Sequence, residues 1–120
     1  DKQKKLGRDL SKGMRQKVSI CCALLPDPQL LFFDEPMIGL DPKAIKNTKQ
    51  VFRNLKEAGK TILVSTHLID SVESIADRVM IMKDGKIIGN DTSENLRAQA
   101  AEGGEGLSLE DLFLELTKDE

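Results

Sequence analysis

Tryptophan and tyrosine are absent from this 120-residue chain, and four phenylalanines hold the aromatic share at 3%. Stacking platforms for single-stranded nucleic acid need more aromatic faces than that. Neither sign of charge is in excess. Eighteen Lys and Arg against 20 Asp and Glu leave a net charge of −2, whereas a nucleic-acid binder carries a basic surplus. Cysteine is limited to Cys21 and Cys22. Being adjacent, they have no metal-ligand spacing and make a disulfide framework implausible; they read as small apolar residues in a reducing compartment. No apolar run nears the roughly 20 residues that would cross a bilayer, and no signal-peptide pattern is present. The chain opens at Asp1 with a basic, polar stretch and no initiator methionine, the pattern expected of a piece cut from something longer.

What is present suffices for one modest domain. The apolar share of 39% is ordinary for a soluble fold and slightly low for a small core. The organising stretch is Leu30-Leu31-Phe32-Phe33-Asp34-Glu35-Pro36. Four large apolar residues without alternation predict a short strand buried on both faces, as in a parallel sheet covered by helices. Ligands of such sheets collect at the carboxyl ends of the strands, where Asp34 and Glu35 stand. One carboxylate there can hold magnesium through water while its neighbour polarises a water for attack on a phosphate. The plain alternative, that both begin a solvated loop, weighs about equally on this stretch alone.

Ahead of that strand, Ser11 is an N-cap candidate for a helix with Met14, Val18, Cys21, Cys22 and Leu25 at helical spacing. Pro26 and Pro28 close it. A capped helix with Gly13 in its first turn can receive an anion on its free amides, although a simple amphipathic helix explains the same pattern. Beyond Pro36, Gly39 permits a tight turn. Asp41-Pro42 reads as N-cap and first position of a helix to about Ala58, with Ile45, Thr48, Val51, Phe52 and Leu55 on one face. Capping alone would account for Asp41. Residues 61–65 predict a second buried strand ending at His67, the one histidine of the chain. A short helix follows over 68–76, then a strand over 79–82. Lys83-Asp84-Gly85-Lys86 is a hairpin signal with the return at Ile87-Ile88-Gly89. Thr92 caps a helix from Ser93 to about Ala101. Glycines 103, 104 and 106 predict a flexible break, and Ser108 caps a last helix through Leu109, Leu112, Phe113 and Leu116. Strand–helix–strand–helix–strand order implies a parallel sheet finished by a hairpin.

Four motifs stand here in one order. Leu10-Ser11-Lys12-Gly13-Met14 is similar to the signature loop L-S-G-G-Q of the ATP-binding subunits of ABC transporters. Residues 30–34 resemble that family's Walker B strand, with Glu35 on its catalytic glutamate; Gly39-Leu40-Asp41 resembles its D-loop, and His67 its switch histidine. The resemblance runs from about Ser11 to Gly89. It implies an α/β fold of the P-loop NTPase (RecA-like) type: a partial parallel sheet with flanking helices, a C-terminal hairpin and further helices. It implies ATP and magnesium as cofactors. Asp34 would help hold the metal, Glu35 would polarise the attacking water, and His67 would sense the γ-phosphate. Ser11 and Gly13 would touch the γ-phosphate of a nucleotide held by a second, head-to-tail ATP-binding subunit, and Asp41 would communicate across that dimer. The implied setting is the inner face of a membrane, in the cytoplasm, on a transmembrane transporter subunit, with no nucleic acid involved.

Two departures and one absence qualify the match. Lys12 and Met14 replace the first glycine and the glutamine of the signature; the same L-S-K-G-M form occurs in exporter-type subunits of the family. No G-x-x-x-x-G-K-S/T run is present: Gly59-Lys60-Thr61 imitates its tail, but Asn54 fills the first glycine's place, between a helix and a strand in the wrong order. The expectation is therefore the carboxyl-terminal half of the subunit, with residues 1–91 as its core part and 92–120 as a helical tail. The P-loop strand that would lie between residues 61–65 and 79–82 is missing. By itself such a piece is expected to be inactive, and swapped, rearranged or marginally stable. A non-transport ATPase of the same superfamily and a non-enzymatic regulatory module remain as alternatives.

Overall fold

The computed structural model describes Gly7, residues 10–102, Ser108, Glu110, Asp111, Phe113 and Leu114. The chain divides into two compact units, one through His67 and one from Leu68. The expected break at glycines 103, 104 and 106, and Leu109, Leu112 and Leu116 of the last helix, lie outside the described residues.

In the first unit, helix α1 (Lys12–Leu24) precedes strand β1 (Leu30–Asp34), helix α2 (Pro42–Glu57) and strand β2 (Thr61–Ser65). Both helices begin on the expected caps: Ser11 Oγ accepts from Met14 N–H at 3.2 Å, and Asp41 Oδ1 accepts from Ala44 N–H at 2.8 Å. Strands β1 and β2 pair in parallel, from Leu30 opposite Thr61 to Asp34 opposite Ser65. The register is anchored at its start by Lys60. Its Nζ reaches Pro28 O at 2.8 Å and Asp27 Oδ1 at 2.6 Å, while Thr61 N–H donates to Gln29 O.

The core of this unit lies on one face of the two strands. Leu31 and Phe33 are buried against the Ala44, Thr48 and Phe52 stripe of α2, with the rings of Phe33 and Phe52 5.0 Å apart. The opposite face is open: Leu30 is 49% exposed, Phe32 69% and Leu63 42%. The expectation of a strand buried on both faces is thus corrected. The apolar run is continuous, but a two-stranded sheet with its packed helix on one side covers alternate residues only.

Helix α1 departs in phase. Val18 and Leu25, expected inward, are 50% and 82% exposed, and both cysteines are exposed; Ile20 is buried in their place. Apolar residues lie all round this helix, so hydrophobicity alone leaves its rotation open. The rotation follows from a close approach. A Cβ on Gly13 would sit 3.4 Å from Gly39 O, and Gln16 Nε2 donates to Pro36 O at 3.1 Å. Those contacts turn residues 13, 16 and 20 inward.

In the second unit, helix α3 (Ile69–Glu73) is shorter than expected. Strands β3 (Arg78–Lys83) and β4 (Lys86–Thr92) form their own antiparallel sheet, joined by Asp84 and Gly85, both at positive φ, and followed by helix α4 (Ser93–Glu102). Strand β3 pairs with β4 and not with β1 or β2, so the parallel sheet has two strands and is the partial one expected. Ile81 and Leu96 form the small core, and Ser93 ties the start of α4 to the preceding turn through Asp77 O and Ala76 O.

One-sided burial has a direct test. Phe33→Ala removes a packed ring and should cost about 3–5 kcal/mol in urea unfolding, or abolish the cooperative transition, whereas Phe32→Ala should stay within about 1 kcal/mol. Equal losses at both positions would mean that both faces are covered.

Candidate active site

Asp34 and Glu35 leave the tip of β1 beside the tip of β2, where Ser65, Thr66 and His67 follow in sequence. The ladder continues one step past its last residue pair: Glu35 N–H donates to Ser65 O at 2.8 Å. Glu35 has φ +47°, a left-handed conformation uncommon for a residue with a side chain, and Pro36 after it is fully buried. This kink separates the two carboxylates. Asp34, still in strand geometry, is exposed and its Oδ1 accepts from Ser65 Oγ at 2.5 Å. Glu35 turns toward β2. Its Oε1 accepts from the His67 backbone N–H at 3.1 Å and lies 2.6 Å from His67 Nδ1. Its Oε2 is sequestered from solvent without a hydrogen-bond partner.

Burial acts to raise the Glu35 carboxyl, but hydrogen bonds from the His67 and Thr66 side chains, the imidazolium charge and the His67 backbone N–H outweigh it. The net effect holds Glu35 below the usual carboxylate range. The carboxylate therefore stays ionised at neutral pH. His67 Nδ1 lies against this carboxylate, and Nε2 is the ring's other polar atom.

A second cluster forms a cleft of about 460 Å³ lined by Ser11, Lys12, Gly13, Lys17, Gly39 and Asp41, among others. The amino-terminal residues of α1 and α2 both contribute. Two helix starts and two lysines favour an anion there. Ser11 Oγ accepts at the cap and keeps its own proton to donate. Lys12 has its stem across Gly39, where a Cβ would come within 2.9 Å of Lys12 Cδ, so that glycine is required by φ +74° and by contact together. The structure thus groups Asp34, Glu35 and His67 at the strand tips, and Ser11, Gly13 and Asp41 in the cleft. Sequence reasoning missed Ser65, Thr66 and Gln16. Ser65 had a signal: two five-residue strands paired in parallel place their last residues, Asp34 and Ser65, side by side.

For magnesium, this chain's donors are sparse. No cluster of three or more His, Cys, Asp or Glu suited to a metal occurs among the described residues. An exposed carboxylate at Asp34 beside a hydroxyl suits an ion that keeps most of its ligands as water and substrate oxygens.

Residues 8–72 match a family model described as "AAA domain, putative AbiEii toxin, Type IV TA system". The chain is 41% identical over 110 residues to the ABC-type transporter ATP-binding protein EcsA of Bacillus subtilis, spanning 92% of this chain and 44% of that protein. The chain belongs to the ABC transporter ATP-binding family. An energy-coupling factor transporter ATP-binding protein, EcfA2 of Lactobacillus acidophilus, is 40% identical over 90 residues, 75% of this chain and 32% of its own length. A solved ATP-binding subunit of an ABC transporter superposes with a TM-score of 0.82 at 40% identity, over 94% of this chain and 46% of its own. The chain thus spans less than half the length of these relatives, and its fold is that of the family's α/β ATPase domains.

The depressed carboxyl makes a testable statement. A group whose pKa is lowered by folding contributes stability above its unfolded pKa and loses it as pH falls through the folded value. A carboxyl ¹³C titration of Glu35 in the 120-residue chain should have its midpoint below that of an exposed glutamate. His67→Ala should raise it, since burial then acts with less opposition. An unchanged midpoint would remove His67 as the cause.

Proposed function

We propose that this chain is the catalytic, carboxyl-terminal portion of a subunit that hydrolyses ATP to move a substrate across a membrane. The observation that carries the reading is the convergence of Glu35 and His67 at adjoining strand tips, where Glu35 Oε1 meets both the backbone N–H and Nδ1 of His67. Residues 1–91 are the catalytic part and 92–120 an accessory helical tail.

In this reading the Glu35 carboxylate takes a hydrogen bond from the attacking water and then accepts its proton. Oε1 stays tied to His67, which prevents the carboxylate from swinging away. Because its neighbours hold the carboxyl low, Glu35 is a weak base. It acts by orienting and polarising water as the γ-phosphoryl leaves, and takes the proton late. His67 contacts Glu35 through Nδ1 and senses the γ-phosphate of the nucleotide. Magnesium, when bound, neutralises charge on the β- and γ-phosphate oxygens; Asp34, oriented by Ser65, would hold it through water. Ser11 and Gly13 meet the γ-phosphate of a nucleotide on a second, head-to-tail ATP-binding subunit, and Asp41 reaches across the same interface. Lys12 adds positive charge beside it. The assembly sits on a transmembrane subunit at the cytoplasmic face of the membrane. The Lys12-Gly13-Met14 form of the signature favours export. The transporter names of EcsA and EcfA2 support transport over a ribosome- or DNA-directed ATPase.

Glu35→Gln in the complete subunit should lower ATP turnover by about 10²–10⁴-fold, the range for loss of a general base, with ATP binding retained. Near-normal turnover in that variant would overturn the assignment. The 120-residue chain by itself should show no magnesium-dependent ATP hydrolysis, measured as phosphate release.

A further inference from the structure

Glu35 is held in a conformation that its own chain does not favour. It combines φ +47° with a following proline, which restricts the residue before it. Such a conformation persists when the surroundings over-determine it. From β2 comes the Glu35 N–H to Ser65 O bond; from the bend itself comes a long Ile38 N–H to Glu35 O bond of 3.4 Å. The third support comes from α1, where Gln16 Nε2 donates to Pro36 O at 3.1 Å across twenty residues. That bond is half-buried, and the face of α1 that carries it also seats Gly13 and the Lys12 stem on Gly39. Gln16 itself is outside the lining of the anion cleft.

We propose that Gln16 is a positioning residue for Glu35. By holding the Pro36 carbonyl, its side-chain amide fixes the Glu35–Pro36 link and with it the direction in which Glu35 presents its carboxylate to His67. Proline supplies no N–H to pin this link, and Ile38 N–H holds the Glu35 carbonyl only at 3.4 Å, so the Gln16 bond at 3.1 Å is the side-chain restraint on it. When the amide is lost, Glu35 relaxes toward the extended conformation that a following proline favours, and its Oε1 leaves the His67 backbone N–H. The catalytic importance of Gln16 rests on the proposed role of Glu35 in hydrolysis; its mechanical role does not.

The test reads the His67 backbone amide by ¹H–¹⁵N correlation in the 120-residue chain, with Glu35→Gln as the reference for a carboxylate lost. Gln16→Met keeps length and removes the donor. It should move the His67 amide toward the reference position and cancel its shift on acid titration. Gln16→Lys, which restores a donor, should return it, and Arg15→Ala on the exposed side of the same helix should leave it in place. If Gln16→Met fails to fold, Gln16→Glu keeps the shape and gives the same reading at neutral pH. A lowered melting temperature with the His67 amide unmoved would make Gln16 a packing residue and overturn the proposal. In the complete subunit, Gln16→Met should lower kcat about tenfold with KM for ATP little changed, the signature of an interaction realised in the transition state. If the unsubstituted subunit hydrolyses no ATP, the proposed function fails while the amide signature still decides the role of Gln16.

Discussion

One backbone hydrogen bond organises the site: Glu35 N–H to Ser65 O. It carries the β1–β2 ladder one residue beyond the strands and does so while the chain reverses hand at Glu35. Strand alternation would otherwise decide where two successive side chains point. The kink replaces that rule, so Asp34 stays exposed while Glu35 turns to its neighbour's tip. Two adjacent carboxylates acquire different surroundings, one open to water and one tied to an imidazole.

That difference has electrostatic consequences. Two bare carboxylates side by side would each resist ionisation of the other. Here Ser65 Oγ serves Asp34, and the donors of Thr66 and His67 serve Glu35.

Packing explains how the strand tips are held. Phe33 and Phe52 lock β1 to α2, Asp41 caps α2, and the bend at 36–40 is pressed from the other side by α1. The anion cleft and the acid pair therefore share one short segment of chain, residues 35–41. The two faces of the sheet are unequal. Leu30, Phe32 and Leu63 remain open, and β3 has paired with β4 in a separate unit. An exposed apolar sheet face of this kind is the usual mark of an unfilled packing surface.

Much of this was legible from residues alone. Caps at Ser11, Asp41 and Thr92, the hairpin at Asp84-Gly85, and both parallel strands follow from local chemistry: a short polar side chain that satisfies free amides, a glycine at positive φ, short apolar runs between breakers. The acidic pair and His67 were also visible, because strand ends can be read from proline and polarity. The rotation of α1 was not, since apolar residues surround that helix and only the close approach of Gly13 and Gln16 to the bend selects a face. One-sided burial was equally hidden, because a continuous apolar run looks the same whether one or two layers cover it. Local sequence determined which elements form and where they stop, through interactions within a few residues. Tertiary structure alone decided which way Glu35 points and what holds it there, because those contacts join residues twenty to thirty-two positions apart.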